Sequence, residues 1–255
     1  MYCDRSELSI DFQLCDCAGH ASGLFAKSQQ VIIASVQIRA GRHSLLLLMP
    51  FFISVCASSP RGVIILCAGD SITAKAYPHF LQQIFNKEGL KARVLNYGRS
   101  GFTSGEYLRF LETNGERLRA ERPDIVLIEL GTNDVRADAD HTPTNAFKDN
   151  MKKIIAIFRA FQSRAGKMPQ ILLATIPPIP SDTPFPFAPE SGQRVSGEIN
   201  PALLSISSEE NLPLVDNYAL FLNQPDLLPG VHPSRDGYRR LAENWFAALK
   251  PFLER

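Results

Sequence analysis

The chain has 255 residues, 45% hydrophobic and 21% charged, with a formal net charge of +1. This balance is ordinary for a globular protein. The near-neutral charge, with no run of Lys or Arg, argues against a nucleic-acid footprint and against a polybasic membrane patch.

Of the five cysteines, Cys3, Cys15, Cys17 and Cys56 precede residue 61 and only Cys67 follows it. Residues 61–255 therefore cannot hold an internal disulfide, and Cys67 is expected to be a buried, inert thiol. Cys15-Asp16-Cys17 is too tight for the usual zinc spacing, and no Cys/His pair completes a site.

Residues 1–60 read as an N-terminal extension without a chemical motif. Within it, residues 44–57 form an uncharged apolar run preceded by Arg39 and Arg42 and ending at Ala57. That pattern describes a secretory signal, too short for a membrane span. Some forty residues precede it, which a signal would not have; one explanation is a start of translation further downstream, such as Val36. Two readings stay open. The run is an export signal or anchor, giving a secreted, periplasmic or membrane-anchored protein, or it packs on the domain and the protein is cytoplasmic.

Residues 61–255 read as one domain. Val63-Ile64-Ile65-Leu66-Cys67, Ile125 to Leu130 and Ile171-Leu172-Leu173-Ala174 are continuous apolar runs, with shorter candidates at Val94-Leu95 and Leu214-Val215. Continuous apolar character suits strands covered on both faces, as in a parallel sheet. Helical patterns fall between them: residues 77–88, one or two short helices in 103–120, and 145–163 with Phe147, Met151, Ile154, Ile155 and Phe158 on one stripe. A last stripe runs from Tyr238 to Leu249. Strand–helix alternation predicts a three-layer α/β domain with its site at the carboxyl ends of the strands. The Pro-rich stretch Pro177–Pro189 reads as a long surface loop.

Four short blocks sit where that architecture places chemistry. Gly69-Asp70-Ser71-Ile72 follows the first strand and leaves a hydroxyl at a strand end. Asn96-Tyr97-Gly98-Arg99-Ser100-Gly101 follows the second, where glycines permit close backbone approach. Gly131-Thr132-Asn133-Asp134 follows the third and offers the uncharged donors of an amide. Gly230-Val231-His232-Pro233-Ser234 puts a histidine in a loop before the final helix. Each alone is compatible with a turn, a cap or a surface loop. Together they supply nucleophile, base and oxyanion donors for acyl transfer. No G-x-S-x-G, H-E-x-x-H, phosphate-binding or dinucleotide-binding signature occurs.

The order and wording of these blocks resemble the SGNH hydrolases, the GDSL-type esterases and lipases, over residues 62–250. The resemblance implies a flavodoxin-like domain with a five-stranded parallel sheet. It implies Ser71 as nucleophile and His232 as base. The N–H groups of Ser71 and Gly101 with the amide of Asn133 would form an oxyanion hole. No metal or organic cofactor is implied. The implied substrate is a small-molecule, lipid or carbohydrate ester, with short-chain acyl esters first and thioesters included. The chain departs from the family at one point. The Asp that usually stands three positions before the histidine is here Pro229. Either the Pro229 carbonyl or Asp226 would then orient His232, or the site is inactive and the domain is a ligand-binding protein on the same fold.

Overall fold

A computed structural model describes residues 10–14, 32–36 and 62–253. The apolar segment 44–57 lies outside the described residues. The chain divides into two units, Met1–Ser59 and Pro60–Arg255. In the first, strand β1 (Ile10–Leu14) pairs antiparallel with β2 (Ile32–Val36). The sequence shows no motif there, and these strands were not anticipated from it.

The second unit holds a sheet of β3 (Val63–Gly69), β4 (Ala92–Gly98), β5 (Ile125–Glu129), β6 (Gln170–Ala174) and β7 (Leu214–Val215). Its order is β4-β3-β5-β6-β7 and every pair is parallel. The chain crosses over through α1 (Ser71–Lys75) and α2 (Tyr77–Lys87), then α3 (Ser104–Ala120), then α4 (Thr144–Arg159). The next crossover holds α5 (Pro189–Arg194), a π-helical turn and α6 (Asn200–Glu209). Helices α7 (Asn217–Leu222) and α8 (Arg235–Leu253) close the domain.

Strand periodicity sorts the core into two layers, because successive side chains point to opposite faces. Leu66, Ala68, Val126, Ile128, Ile171 and Leu173 pack with Tyr107, Phe147, Met151, Ile155, Leu203 and Ile206 of α3, α4 and α6. Ile65, Cys67, Ile125, Leu127 and Leu172 pack with Leu81, Phe85, Leu241, Trp245 and Leu249 of α2 and α8. Both faces are covered, which is why the strands read as unbroken apolar runs.

Two elements differ from the sequence expectation, and a third settles an open one. Strand β4 is longer than Val94-Leu95. It is an edge strand, so Arg93 and Asn96 can be polar while the ladder to β3 runs from Val63–Ala92 to Gly69–Gly98. Of the one or two helices expected in 103–120, residues 104–120 form one. Thr103 and Glu106 make a reciprocal capping box that starts it, and Gly115 does not interrupt it. Helix α6 was not anticipated. Its three serines and one proline hide a short apolar stripe of Ala202, Leu203 and Ile206. The Pro-rich stretch runs largely at the surface, pinned by buried Ile176 and Ile179 and with Phe185 exposed.

Two glycines let α1 lie on the strand ends. A Cβ on Gly69 would fall 2.0 Å from Thr73 Oγ1, and one on Gly98 would fall 2.2 Å from the Ala74 nitrogen. Asn96 completes the seat, donating from Nδ2 to the Ala74 carbonyl at 3.0 Å. The conflict at Gly98 is with backbone, which cannot swing aside. Gly98→Ala is therefore expected to destabilise the domain by about 1–3 kcal/mol, as overpacking does. A urea midpoint equal to that of the parent chain would show that α1 can move at no cost.

Candidate active site

The parallel register sets the ends of three strands level. Gly69 pairs with Gly98 on one side and with Glu129 on the other. Ser71, Gly101 and Asn133 follow those ends by two, three and four residues, so the three blocks rise from one edge of the sheet.

Ser71 opens α1. Asp70 caps that helix, its Oδ1 accepting from the Ile72 N–H at 2.9 Å. Ser71 is 8% exposed, enough for its hydroxyl to reach a ligand. His232 comes from far along the chain. The Ser71 hydroxyl and His232 Nε2 lie 2.8 Å apart. The loop that carries His232 is held by buried Leu228 and by the Ser234 N–H donating to the Leu227 carbonyl at 2.9 Å. Ser234 also caps α8, its hydroxyl accepting from the Gly237 N–H at 3.1 Å. Burial, and then the nearby Lys75 cation, hold the His232 imidazole below its ordinary pKa. The ring is thus a neutral acceptor near pH 7.

On the opposite side, Gly131 adopts φ +132°, where a Cβ would fall 2.9 Å from Ile199 Cγ2. Asn133 then enters a single 3-10 turn, Asn133–Val135. Its Nδ2 donates to the Phe102 carbonyl at 3.0 Å. An amide nitrogen carries two hydrogens, so the second remains for a ligand. Gly101 adopts φ +81°, a conformation that L side chains rarely take.

Asp134 was quoted in the third block but given no task. It is fully buried, and its two carboxylate oxygens accept from the Ser104 N–H at 3.1 and 2.9 Å and from the Ser104 hydroxyl at 2.6 Å. Asn150 Nδ2 donates to the same hydroxyl. Burial raises the Asp134 pKa, and the Ser104 bonds oppose the rise. The carboxylate therefore ties the Asn133 turn to the start of α3, just beyond Gly101 and Phe102. An acidic residue directly after the amide was the available signal.

Of the two residues considered for orienting His232, Asp226 lies exposed in the 3-10 turn Pro225–Leu227. Among the described residues neither the Asp226 carboxylate nor the Pro229 carbonyl hydrogen-bonds to His232, and no carboxylate pairs with the ring.

Beneath Ser71, on the α2 and α8 side of the sheet, lies a buried polar chamber. Glu129, at the end of β5, is fully buried and accepts a long 3.4 Å bond from Trp245 Nε1. Its neighbours Thr73, Tyr77, Asn217 and Tyr238 also carry buried polar atoms without a well-formed partner. Burial and the nearby Asp70 carboxylate push the Glu129 pKa up from 4.5 to about 8. Burial likewise pushes Asp70 from 3.8 to about 6, against the pull of Ile72 and Thr132. Burial also raises the Cys67 thiol on this face, so it stays protonated. Glu129 is thus neutral near pH 7, which removes the repulsion that two buried charges would bring.

A depression of about 550 Å³ is lined by Val63, Leu90, Lys91, Asp124 and Arg164. Those residues stand at the amino ends of the strands, away from Ser71 and His232. The chemistry-bearing groups, not the volume, locate the site.

A carboxyl with a raised native pKa binds more protons folded than unfolded, so stability falls as pH rises through the window between the two values. For Glu129 that window runs from 4.5 to about 8, and for Asp70 from 3.8 to about 6. The melting temperature is expected to decline from pH 5 to pH 8, and Glu129→Gln is expected to remove most of the decline above pH 6. An unchanged slope in the variant would assign the decline to other groups.

The sequence model of the GDSL-like Lipase/Acylhydrolase family matches residues 67–240. An acetylxylan esterase of Xylanibacter ruminicola is 30% identical over 227 residues, covering 77% of this chain and 45% of that protein. A multidomain esterase of Ruminococcus flavefaciens is 26% identical over 242 residues, covering 77% of this chain and 30% of that protein. The chain thus spans less than half the length of either relative. Among solved structures, the acetylxylan esterase Axe2 of Geobacillus stearothermophilus superposes with a TM-score of 0.59 at 22% identity, covering 74% of this chain and 94% of that one. A carbohydrate acetylesterase family member from Sinorhizobium meliloti gives 0.61 at 19% identity, covering 76% and 100%. These two share the fold. The matched span holds all four blocks, from the strand before Ser71 to the helix after His232, and the chain belongs to the GDSL-like lipase/acylhydrolase family.

Proposed function

We propose that this domain hydrolyses carboxylic esters through an acyl-Ser71 intermediate. The observation that carries the reading is the 2.8 Å contact between Ser71 Oγ and His232 Nε2, made across 161 positions of sequence. In this reading Ser71 attacks the ester carbonyl carbon as its proton passes to His232 Nε2. The carbonyl oxygen becomes an oxyanion, received by the Ser71 and Gly101 N–H groups and the second Asn133 amide hydrogen. The C–O bond to the alcohol breaks, and the imidazolium returns the proton to the leaving oxygen. Water then repeats the sequence on the acyl-enzyme, with His232 again as base.

For the substrate we favour short acyl groups, acetyl first, carried on a carbohydrate. The support is the relatives, two of which are acetylxylan esterases and one a carbohydrate acetylesterase family member. The competing reading, a ligand-binding domain without turnover, draws on the lack of a carboxylate beside His232. Labelling by a fluorophosphonate decides between them. The parent chain is expected to be labelled and Ser71→Ala is not, whereas an unlabelled parent would favour the binding domain.

Removing one oxyanion donor costs on the order of 10²–10³ in turnover. Asn133→Ala is expected to lose that much kcat on 4-nitrophenyl acetate with its unfolding midpoint little changed. A loss below about fivefold would take Asn133 out of the oxyanion site. Asp226→Asn is expected to leave kcat within about twofold, since that side chain makes no contact with the ring. A fall approaching the roughly 10⁴ known for removing a triad acid would return the role to Asp226.

A further inference from the structure

A cavity of about 310 Å³ opens at the carboxyl ends of β6 and β7, lined in part by Thr175, Ser196, Pro201, Leu204, Asp216 and Tyr218. Thr175 directly follows β6 and Asp216 directly follows β7. These strands are the second and third from β3 in the sheet. At the spacing of neighbouring strands, the cavity lies roughly 10–15 Å along the edge from the end of β3 that leads into Ser71. Its carboxylate is held in place. The Thr175 hydroxyl donates to Asp216 Oδ1 at 3.0 Å, and the Ala219 N–H donates to the same oxygen at 2.9 Å. Thr175 Oγ1 in turn accepts from the Tyr218 N–H at 2.9 Å. Both bonds fall on Oδ1 and Asp216 is exposed, so Oδ2 is the oxygen left for a ligand. The Ser196 hydroxyl donates its hydrogen to the Gln193 carbonyl at 3.2 Å, so toward a ligand it acts as an acceptor. Leu204 is 61% exposed although Leu203 and Ile206 on the same helix are buried. With Pro201 and Tyr218 it gives the cavity an apolar wall.

We propose that this cavity is a sugar subsite, which takes a neutral pyranose unit of the carbohydrate whose acetyl group is cleaved at Ser71. The inference rests on the carbohydrate ester reading above. Both polar groups of the cavity accept hydrogen bonds, so its ligand must donate. A pyranose offers neighbouring hydroxyls as donors and a face of C–H groups. The hydroxyls donate to Asp216 Oδ2 and Ser196 Oγ, with the bond to the carboxylate strengthened by its charge. The C–H face lies against Leu204, Pro201 and Tyr218. A mostly apolar pocket with a few placed polar groups is the usual build of a small-ligand site. The distance along the sheet decides which unit binds. The ester-bearing unit is at Ser71, so the cavity takes a unit further along the chain, out of reach of a single sugar. A contact so far from the reacting carbonyl is equally strong in ground and transition states. It therefore lowers KM for an oligosaccharide and leaves kcat alone.

The test compares the full chain with Asp216→Asn and Ser196→Trp on acetylated xylotetraose, acetylated methyl xyloside and 4-nitrophenyl acetate. Asparagine keeps the cap of α7 while removing the charge. Tryptophan fills the cavity from an exposed position, and it is the deciding variant should Asp216→Asn fail to fold. The parent chain is expected to show a KM for the tetraose about tenfold below that for the xyloside, the scale of one hydrogen bond to a charged group. Each variant is expected to raise the tetraose KM by about tenfold with kcat within about twofold, and to leave the other two substrates unchanged. Equal KM for the two sugars in the parent chain, or a tetraose KM that Ser196→Trp does not move, would overturn the subsite. A loss shared by all three substrates in Ser196→Trp would also overturn it, since a subsite acts on the oligosaccharide alone. A readout independent of turnover is calorimetric titration with xylotetraose that carries no ester. Saturable binding is expected in the parent chain and not in Ser196→Trp. Binding of tetramethylammonium but not of xylotetraose would overturn the proposal in favour of a cation site. Failure of fluorophosphonate labelling would reject the hydrolytic reading and leave the titration to judge the subsite. Normal labelling without xylotetraose binding would reject the subsite and leave hydrolysis standing.

Discussion

The close seat of α1 on the ends of β3 and β4 is the constraint on which the rest of the site depends. Without side chains at Gly69 and Gly98, the helix backbone comes within van der Waals contact of the strand ends. This closeness brings Ser71 out immediately above the sheet. It also lets Asn96 reach the Ala74 carbonyl and the Arg99 N–H reach the Gly69 carbonyl at 2.8 Å. Ser71 is thus placed by backbone packing rather than by its own contacts. Its reach to a histidine 161 positions away needs only that α8 and its preceding loop dock on the same edge.

The opposite wall of the site is placed by a buried charge. Asp134 links the Asn133 turn to α3, and Arg194 reinforces the turn by donating to the Asp134 carbonyl at 2.8 Å and to the Thr142 carbonyl at 2.8 Å. Buried carboxylates are costly unless well supplied with donors. Here Ser104 supplies both an N–H and a hydroxyl. The result is a connection between two loops, the kind of tie that the proposed oxyanion site would need to keep its donors in place.

Charge is distributed unevenly around the nucleophile. Below Ser71 the Asp70 and Glu129 carboxyls sit buried and close, and burial drives both toward the neutral form. One helical turn on, Lys75 is exposed and makes no ion pair among the described residues. The His232 ring therefore meets a cation at the surface and no carboxylate within the described protein. A site of this kind favours neutral imidazole as a base, while making the imidazolium harder to form.

The sequence alone determined the class of fold and the cast of the site. Unbroken apolar strands alternating with 3.6-residue stripes require a sheet covered on both faces, and four ordered blocks name Ser71, Gly101, Asn133 and His232. These features are local, since each is written in a few neighbouring residues. Tertiary structure decided what depends on partners distant in the chain. It extended β4, because an edge strand needs no apolar signature. It made a helix of the serine-rich segment 200–209, because packing against the α4 face outweighed weak propensity. It gave Asp134 a structural task and buried Glu129 as a neutral acid, since a carboxylate's partners and its desolvation come from elements remote in sequence. It also left His232 Nδ1 without a hydrogen-bond partner among the described residues. The substitution at Pro229 shows in the sequence that the usual acid is absent, but only the folded loop shows that Asp226 does not turn back to replace it.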